Sequence, residues 1–267
     1  MSYAHLKTLA VSKANGIATV TMNQPDTLNA ISENMHGDLE RVWPILGEDP
    51  EVNVIILTGA GRAFSAGGDI NRMISRFGTP EAKQHAASVT VHAKNLVGAI
   101  LNLHKPIVAA VNGDALGLGT TLALMCDISV VSETAKLGDT HVRVGLVAGD
   151  GGSVIWPLLI GVNRAKDFLM RGRIVNGKEA VEHGIANYAV AADKVAEQAM
   201  KIALELNALP PLAVQWSKIS ANLILKQQFN LAFDASIAFE ALSMQTLDHN
   251  EACKAFVEKR KPVYRGA

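Results

Sequence analysis

A chain of 267 residues, 49% apolar and 19% charged, is long enough to bury a substantial core and ordinary in composition for a compact protein. Its 25 Lys and Arg balance its 25 Asp and Glu, so no net field draws it to nucleic acid or an anionic membrane. Two cysteines are too few for a disulfide framework, no stretch reaches ~18 uninterrupted apolar residues, and Met1 to Lys7 shows neither an apolar nor an Arg-rich leader, so a cytoplasmic protein without a membrane span is expected.

In chain order, Leu6 to Met22 alternates apolar and polar residues around Asn15-Gly16, which predicts a hairpin. Gln24-Pro25-Asp26 interrupts the sheet. Ser32 is placed to cap a helix carrying Met35, Leu39, Trp43 and Leu46 on one face. Val52 to Leu57 reads as a buried strand ending in the turn Thr58-Gly59-Ala60-Gly61, followed by small residues and glycines from Ala63 to Ile70. A helix with Ala93, Leu96, Val97, Ile100 and Leu101 leads to a second buried strand, Ile107 to Val111. The loop Asn112 to Gly119 follows, and then an apolar helix from Thr120 to Met125. Ile128 to Val131 is a further strand, and after the turn Gly149-Asp150-Gly151-Gly152 short helices are predicted at Val154 to Leu159 and Ala165 to Met170. From Ala191 the pattern is helical throughout, with segments at 213–225, 231–247 and 251–259. The expectation is an α/β core over residues 1–190 and a helical module over 191–267.

Twice, then, a buried strand runs through a glycine loop into a helix. Such a loop leaves backbone N–H groups unpaired at a helix start, where a phosphate, a carboxylate or a developing oxyanion is stabilised. Gly117-x-Gly119-x-x-Leu122 lacks the third glycine of a dinucleotide fingerprint, despite an acid twenty positions on at Asp139, and no Gly-Lys-Ser/Thr follows any loop. Close helix–strand packing accounts for Gly119 alone but not for two loops of this kind. Two amides aimed at one carbonyl oxygen account for both.

Pro25-x-x-Leu28-Asn29-Ala30, Ala63-Phe64-Ser65-Ala66-Gly67-Gly68-Asp69-Ile70, Val111-Asn112-Gly113-x-Ala115-Leu116-Gly117-x-Gly119, Cys126-Asp127 and Ala255-Phe256-x-Glu258-Lys259-Arg260-Lys261-Pro262 together resemble the crotonase (enoyl-CoA hydratase/isomerase) superfamily, over nearly the whole chain. The resemblance implies a crotonase-like ββα spiral core with a C-terminal helical trimerisation module, assembled as a homotrimer or dimer of trimers. It also implies an acyl-CoA substrate, with no metal and no cofactor beyond the coenzyme A of that substrate. The thioester oxygen would lie on the N–H groups of Gly68 and Leu118, with Ala66, Ile70, Gly117 and Thr121 around it. Phe256 and Lys259 match positions that pack adenine and meet phosphate from a neighbouring subunit.

The chain departs from the family where hydration is done. The positions matching the two hydratase glutamates hold Thr121 and His141. A threonine hydroxyl supplies neither acid nor base near neutral pH, whereas histidine supplies both. Asp150, nine residues on, is placed to orient His141, a spacing that resembles the His–Asp dyad of the superfamily's β-diketone hydrolases. Three functions follow: an atypical acyl-CoA enzyme, a CoA-independent hydrolase of cyclic β-diketones, or a silent acyl-CoA-binding protein. A basic residue does follow Asp69-Ile70, but as Asn71-Arg72 where relatives often carry Lys. Asp69 and Asp127 read as caps or loop ties, Ser65 as a packing residue, Asp114 and Arg143 as unplaced, and Glu240 as half of a surface ion pair.

Overall fold

Asn15 and Gly16 both take positive φ (52° and 79°), and around them strands β1 (Leu9–Ala14) and β2 (Ile17–Met22) pair antiparallel with Ala14 opposite Ile17. A computed structural model describes all 267 residues. After the break at Pro25, Ser32 caps helix α1 (Glu33–Glu48) by accepting from Met35 N at 3.3 Å, and α1 buries Met35, Leu39, Val42, Trp43 and Leu46.

Strand–strand–helix units follow: β3 (Val54–Gly59), β4 (Ala63–Ser65) and α2 (Ile70–Arg76), with the long α3 (Pro80–Asn102) appended; then β5 (Ile107–Val111), β6 (Asp114–Leu116) and α4 (Leu118–Met125). The next unit holds β7 (Ile128–Ser132), β8 (Lys136–Gly138), a 3-10 turn over His141–Val144, and helices α5 (Gly152–Ile160) and α6 (Val162–Arg171). β9 (Val175–Asn176), α7 (Gly177–Glu182) and β10 (Tyr188–Val190) complete it, ahead of α8 (Val195–Asn207), α9 (Pro211–Ser243) and α10 (Leu247–Val257). In each unit the first strand joins a six-stranded sheet, ordered β1-β2-β3-β5-β7-β10, and the second joins a four-stranded sheet, ordered β4-β6-β8-β9. This is the expected ββα spiral.

Three features differ from the sequence reading. The three-residue strands β4 and β6 lie where loop was expected; so short a run carries no periodicity, and only neighbouring strands make it one. α8 closes one face of the large sheet, burying Val195, Ala199, Ile202 and Ala203 against Ile56, Val108 and Val130, so it packs as part of the core despite lying beyond residue 191. The segments expected at 213–225 and 231–247 form one helix, α9, of 33 residues, since no Gly or Pro interrupts 212–243. α9 packs against α3 and α5, yet leaves Trp216, Leu223, Leu231 and Phe239 exposed.

The polar anchor of the first unit is Asn29, fully buried at φ 54°. Its Oδ1 accepts from Gln24 N, and its Nδ2 donates to the carbonyls of Ala60 and Ala63, each at 2.9 Å. Asn29→Ala strands these groups and puts a Cβ-bearing residue without a local hydrogen bond at left-handed φ. The expected loss is about 2–4 kcal/mol in urea unfolding, and a loss near zero refutes the anchor.

Candidate active site

The small sheet sets the geometry. β4 and β6 run parallel with Ser65 opposite Ala115, so the third residue beyond each, Gly68 and Leu118, leaves the sheet at the same end. β8 joins in parallel with Gly138 opposite Leu116, and His141 is again three residues on. Glycine is required at the junctions. Gly67 (φ 81°) lies so close to the second loop that a Cβ would stand 2.6 Å from Leu116 O, and a Cβ on Gly119 would stand 2.7 Å from Ser65 O. Gly117, at φ 54° and ψ −128°, donates to Gly138 O at 3.0 Å and turns the chain into α4.

The N–H groups of Gly68 and Leu118 make no hydrogen bond within the protein. Gly68 lies outside any strand ladder, since the bridge it forms with Ile31 uses Gly67 O as acceptor; Leu118 is the first residue of α4, whose N–H has no intrahelical partner. Both residues line one cavity of about 770 Å³ together with Ala66, Ile70, Gly117, His141, Asp150 and Glu240. The cavity's wall opposite the loops comes from α1 and α3.

His141 is buried between two carboxylates. Its Nδ1 donates to Asp139 Oδ1 at 2.7 Å, and its Nε2 lies 3.1 Å from Asp150 Oδ2. The expected contact with Asp150 is therefore present, but Asp150 is not the group that fixes the ring: Asp139, two residues away, takes that place from the Nδ1 side. Both ring nitrogens are engaged, so the imidazole is not free to take a proton from a substrate, and the dyad reading is revised on that point. Burial alone would push the ring's pKa down; the charges of Asp150 and Asp139 and their hydrogen bonds outweigh it and hold it well above 6.5.

Glu240 is a correction. It is 3% exposed rather than on the surface, and its Oε2 accepts from Gly149 N at 2.9 Å. A Cβ on Gly149 would stand 2.4 Å from Ser236 O, so only glycine lets the Asp150 turn approach α9 this closely. Donor atoms of His141, Asp150 and Glu240 lie within 4.8 Å of one another, the one grouping in the chain that converges as a metal site would. The His141 cation already pairs with Asp150 there. Burial, reinforced by the charges of Asp150 and Asp139, pushes the Glu240 carboxyl up to about 8 against the pull of His141. No spacing in the sequence links residue 240 to residue 150, because the link is a tertiary approach of one turn to a helix.

Several expected residues lie elsewhere. Thr121 is buried but does not line the cavity: it faces the underside of the Asp150 turn, where a Cβ on Gly151 would stand 2.8 Å from its Cγ2. Phe256, in the last turn of α10, and Lys259, two residues past its end, are exposed and line no part of this chain's cavity; the role the resemblance implies for them concerns a neighbouring subunit's site. Asp69 caps α2, accepting from Arg72 N at 3.1 Å, and Asp127 ties β5 to α9, accepting from Ile107 N and pairing with Lys218 at 2.8 Å. Ser65 donates to Asn29 O at 2.8 Å, Asp114 accepts from Lys136 N at 2.9 Å, and Arg143 packs against Gly172.

The profile of the enoyl-CoA hydratase/isomerase family matches residues 12–267. The (E)-benzylidenesuccinyl-CoA hydratase of Thauera aromatica is 32% identical over 261 residues, covering 97% of this chain and 99% of that protein. The short-chain-enoyl-CoA hydratase of Clostridium acetobutylicum is also 32% identical, over 96% of this chain and 97% of its own length. The crystal structure of an enoyl-CoA hydratase/isomerase from Mycobacterium paratuberculosis superposes with a TM-score of 0.87 at 34% identity, covering 92% of this chain and 97% of that one. Two unpaired amides on adjoining glycine loops, a ββα spiral and this length of matching sequence agree: the chain belongs to the enoyl-CoA hydratase/isomerase family, crotonase-superfamily enzymes that process acyl-CoA thioesters.

Proposed function

We propose that this enzyme enolises an acyl-CoA, the thioester oxygen accepting from the N–H groups of Gly68 and Leu118 while protons move between the α-carbon and a buried carboxyl pair. The observation that carries the reading is the pair of unspent amides opening on the cavity that holds Asp150 and Glu240. Negative charge gathers on the thioester oxygen as the α-proton leaves, so preorganised donors lower that barrier more than they stabilise bound substrate. Asp150, ion-paired to His141, accepts the proton. Glu240, neutral up to about pH 8, is the proton donor. His141 is the fixed cation against which the Asp150 carboxylate is positioned, 3.1 Å from its Nε2. This division of labour supports isomerisation or an atypical hydration, with two carboxyls serving where the usual glutamates are Thr121 and His141.

The unpaired amides and the Asp150 carboxylate in one cavity also support a second reading, water attack on a cyclic β-diketone in which Asp150 takes the water's proton and the departing enolate is held by the same amides. Release of ring-opened acid from a dione that lacks CoA distinguishes it. The exposed apolar residues of α9 support assembly as a homotrimer or dimer of trimers, in which Phe256 and Lys259 meet the CoA held by an adjacent subunit.

Enolisation is read directly as deuterium uptake at the α-carbon of an acyl-CoA in D2O, followed by mass spectrometry. Asp150→Asn is expected to slow uptake by about 100-fold or more while acyl-CoA binding changes little. Uptake at the wild-type rate in that variant refutes Asp150 as the base, and no uptake in the wild type returns the chain to the silent binding reading.

The proton inventory makes a separate prediction. Glu240 and His141 both hold protons more tightly folded than unfolded, so the folded state binds more protons across the window and stability falls as pH rises. For Glu240 the decline runs from its ordinary 4.5 to about 8. Glu240→Gln keeps the Gly149 contact and removes the ionisation. It is expected to flatten that decline and to raise stability at pH 8 by about 1–3 kcal/mol in urea unfolding; an unchanged pH profile refutes a neutral Glu240.

A further inference from the structure

Five histidines line the cavity, and four have local explanations. His141 is engaged at both nitrogens, His249 donates from Nδ1 to Val144 O at 2.6 Å, and His92 donates from Nδ1 to Glu40 Oε2 at 3.1 Å. His85 stands 3.6 Å from Glu33 in the charged rim formed with Arg72 and Arg76. His36 on α1 is different. Its side chain is 17% exposed, its nearest carboxylate oxygen, Glu40 Oε2, is 3.9 Å from Nδ1, and its ring meets His92 edge-on at 6.3 Å without a hydrogen bond. No side-chain hydrogen bond holds either nitrogen of this largely enclosed imidazole, which lines the same cavity as Gly68, Leu118 and Asp150.

The His36 N–H still reaches water at the cavity wall, and an alkyl chain lying against it would strip that water and leave the donor without an acceptor. Burial lowers the His36 pKa, so the ring is neutral and offers one N–H. Glu40 beside it and Asp150 across the cavity disfavour a substrate carboxylate at this place. A neutral oxygen is the complement that remains. We propose that His36 donates to a second carbonyl oxygen on the acyl group, so that this enzyme takes oxoacyl thioesters in preference to plain alkyl or alkenyl ones. The inference rests on the reading that the thioester oxygen itself occupies the two loop amides.

Dissociation constants for butyryl-, crotonyl-, 3-hydroxybutyryl- and acetoacetyl-CoA, measured on the wild type, His36→Leu and His36→Gln, test it. The wild type is expected to bind acetoacetyl-CoA about tenfold or more tightly than butyryl-CoA. His36→Leu should bring that ratio near one, and His36→Gln, which keeps a donor, should restore part of it. A flat ratio in the wild type, or one that His36→Leu leaves intact, overturns the proposal. A preference shared equally by the 3-hydroxy compound overturns the carbonyl assignment. Deuterium uptake into butyryl-CoA separates the two readings: uptake absent with the ratio present removes the enolisation reading alone, and uptake present with a flat ratio removes only the role of His36.

Discussion

The parallel pairing of two three-residue strands, Ala63–Ser65 with Asp114–Leu116, is the constraint on which the site depends. Neither strand is long enough to stabilise itself; each is held because its partner in the same ββα unit is locked in the large sheet. That pairing converts two positions 50 residues apart into neighbours at one sheet end. It does so with backbone alone, which suits an oxyanion site, since amides carry no side-chain entropy and need no reorganisation as charge develops. The glycines are consequences of it: residues 67 and 119 must be small because the loops they sit on touch.

Electrostatics then decides what the cavity can do. Asp139, Asp150 and Glu240 are all buried, with one imidazole among them. Three carboxylates against one cation would leave two net negative charges in a poorly solvated space, and a neutral Glu240 reduces that excess to one. The Glu240 carboxyl is held neutral by burial and by its acidic neighbours rather than by its residue type, while Asp150 lies 3.1 Å from the His141 ring.

Much of this was legible in the chain. Asn15-Gly16, the Ser32 cap and the β-prone runs at 52–57 and 107–111 point to their elements because each is a local signal, and the order of motifs points to Gly68 and Leu118, whose N–H groups the fold leaves unpaired at one cavity. His141 and Asp150 share a short segment, so their meeting was readable too. The contact that Asp139 makes is not legible in the sequence because it depends on a ring two residues away that turns back only in the 3-10 turn. Glu240 was misplaced because a glutamate on a long helix reads as exposed, and only the approach of Gly149 to Ser236 buries it. The strands β4 and β6 escaped because the partner, not the sequence, makes a three-residue strand.

Thr121 shows how the substitutions fit together. The Asp150 turn packs directly onto it, with Gly151 at φ 123° facing the threonine methyl group. A glutamate at 121 would carry two more heavy atoms into the space this turn occupies, in a region packed too closely to absorb them. The short side chain on α4 and the glycine-rich turn therefore require each other: one makes room, and the other brings a carboxylate through that room to the cavity. Asp150 reaches the cavity from that turn and Glu240 from α9, so two buried carboxyls and the His141 ring line it although α4 carries only a threonine at 121.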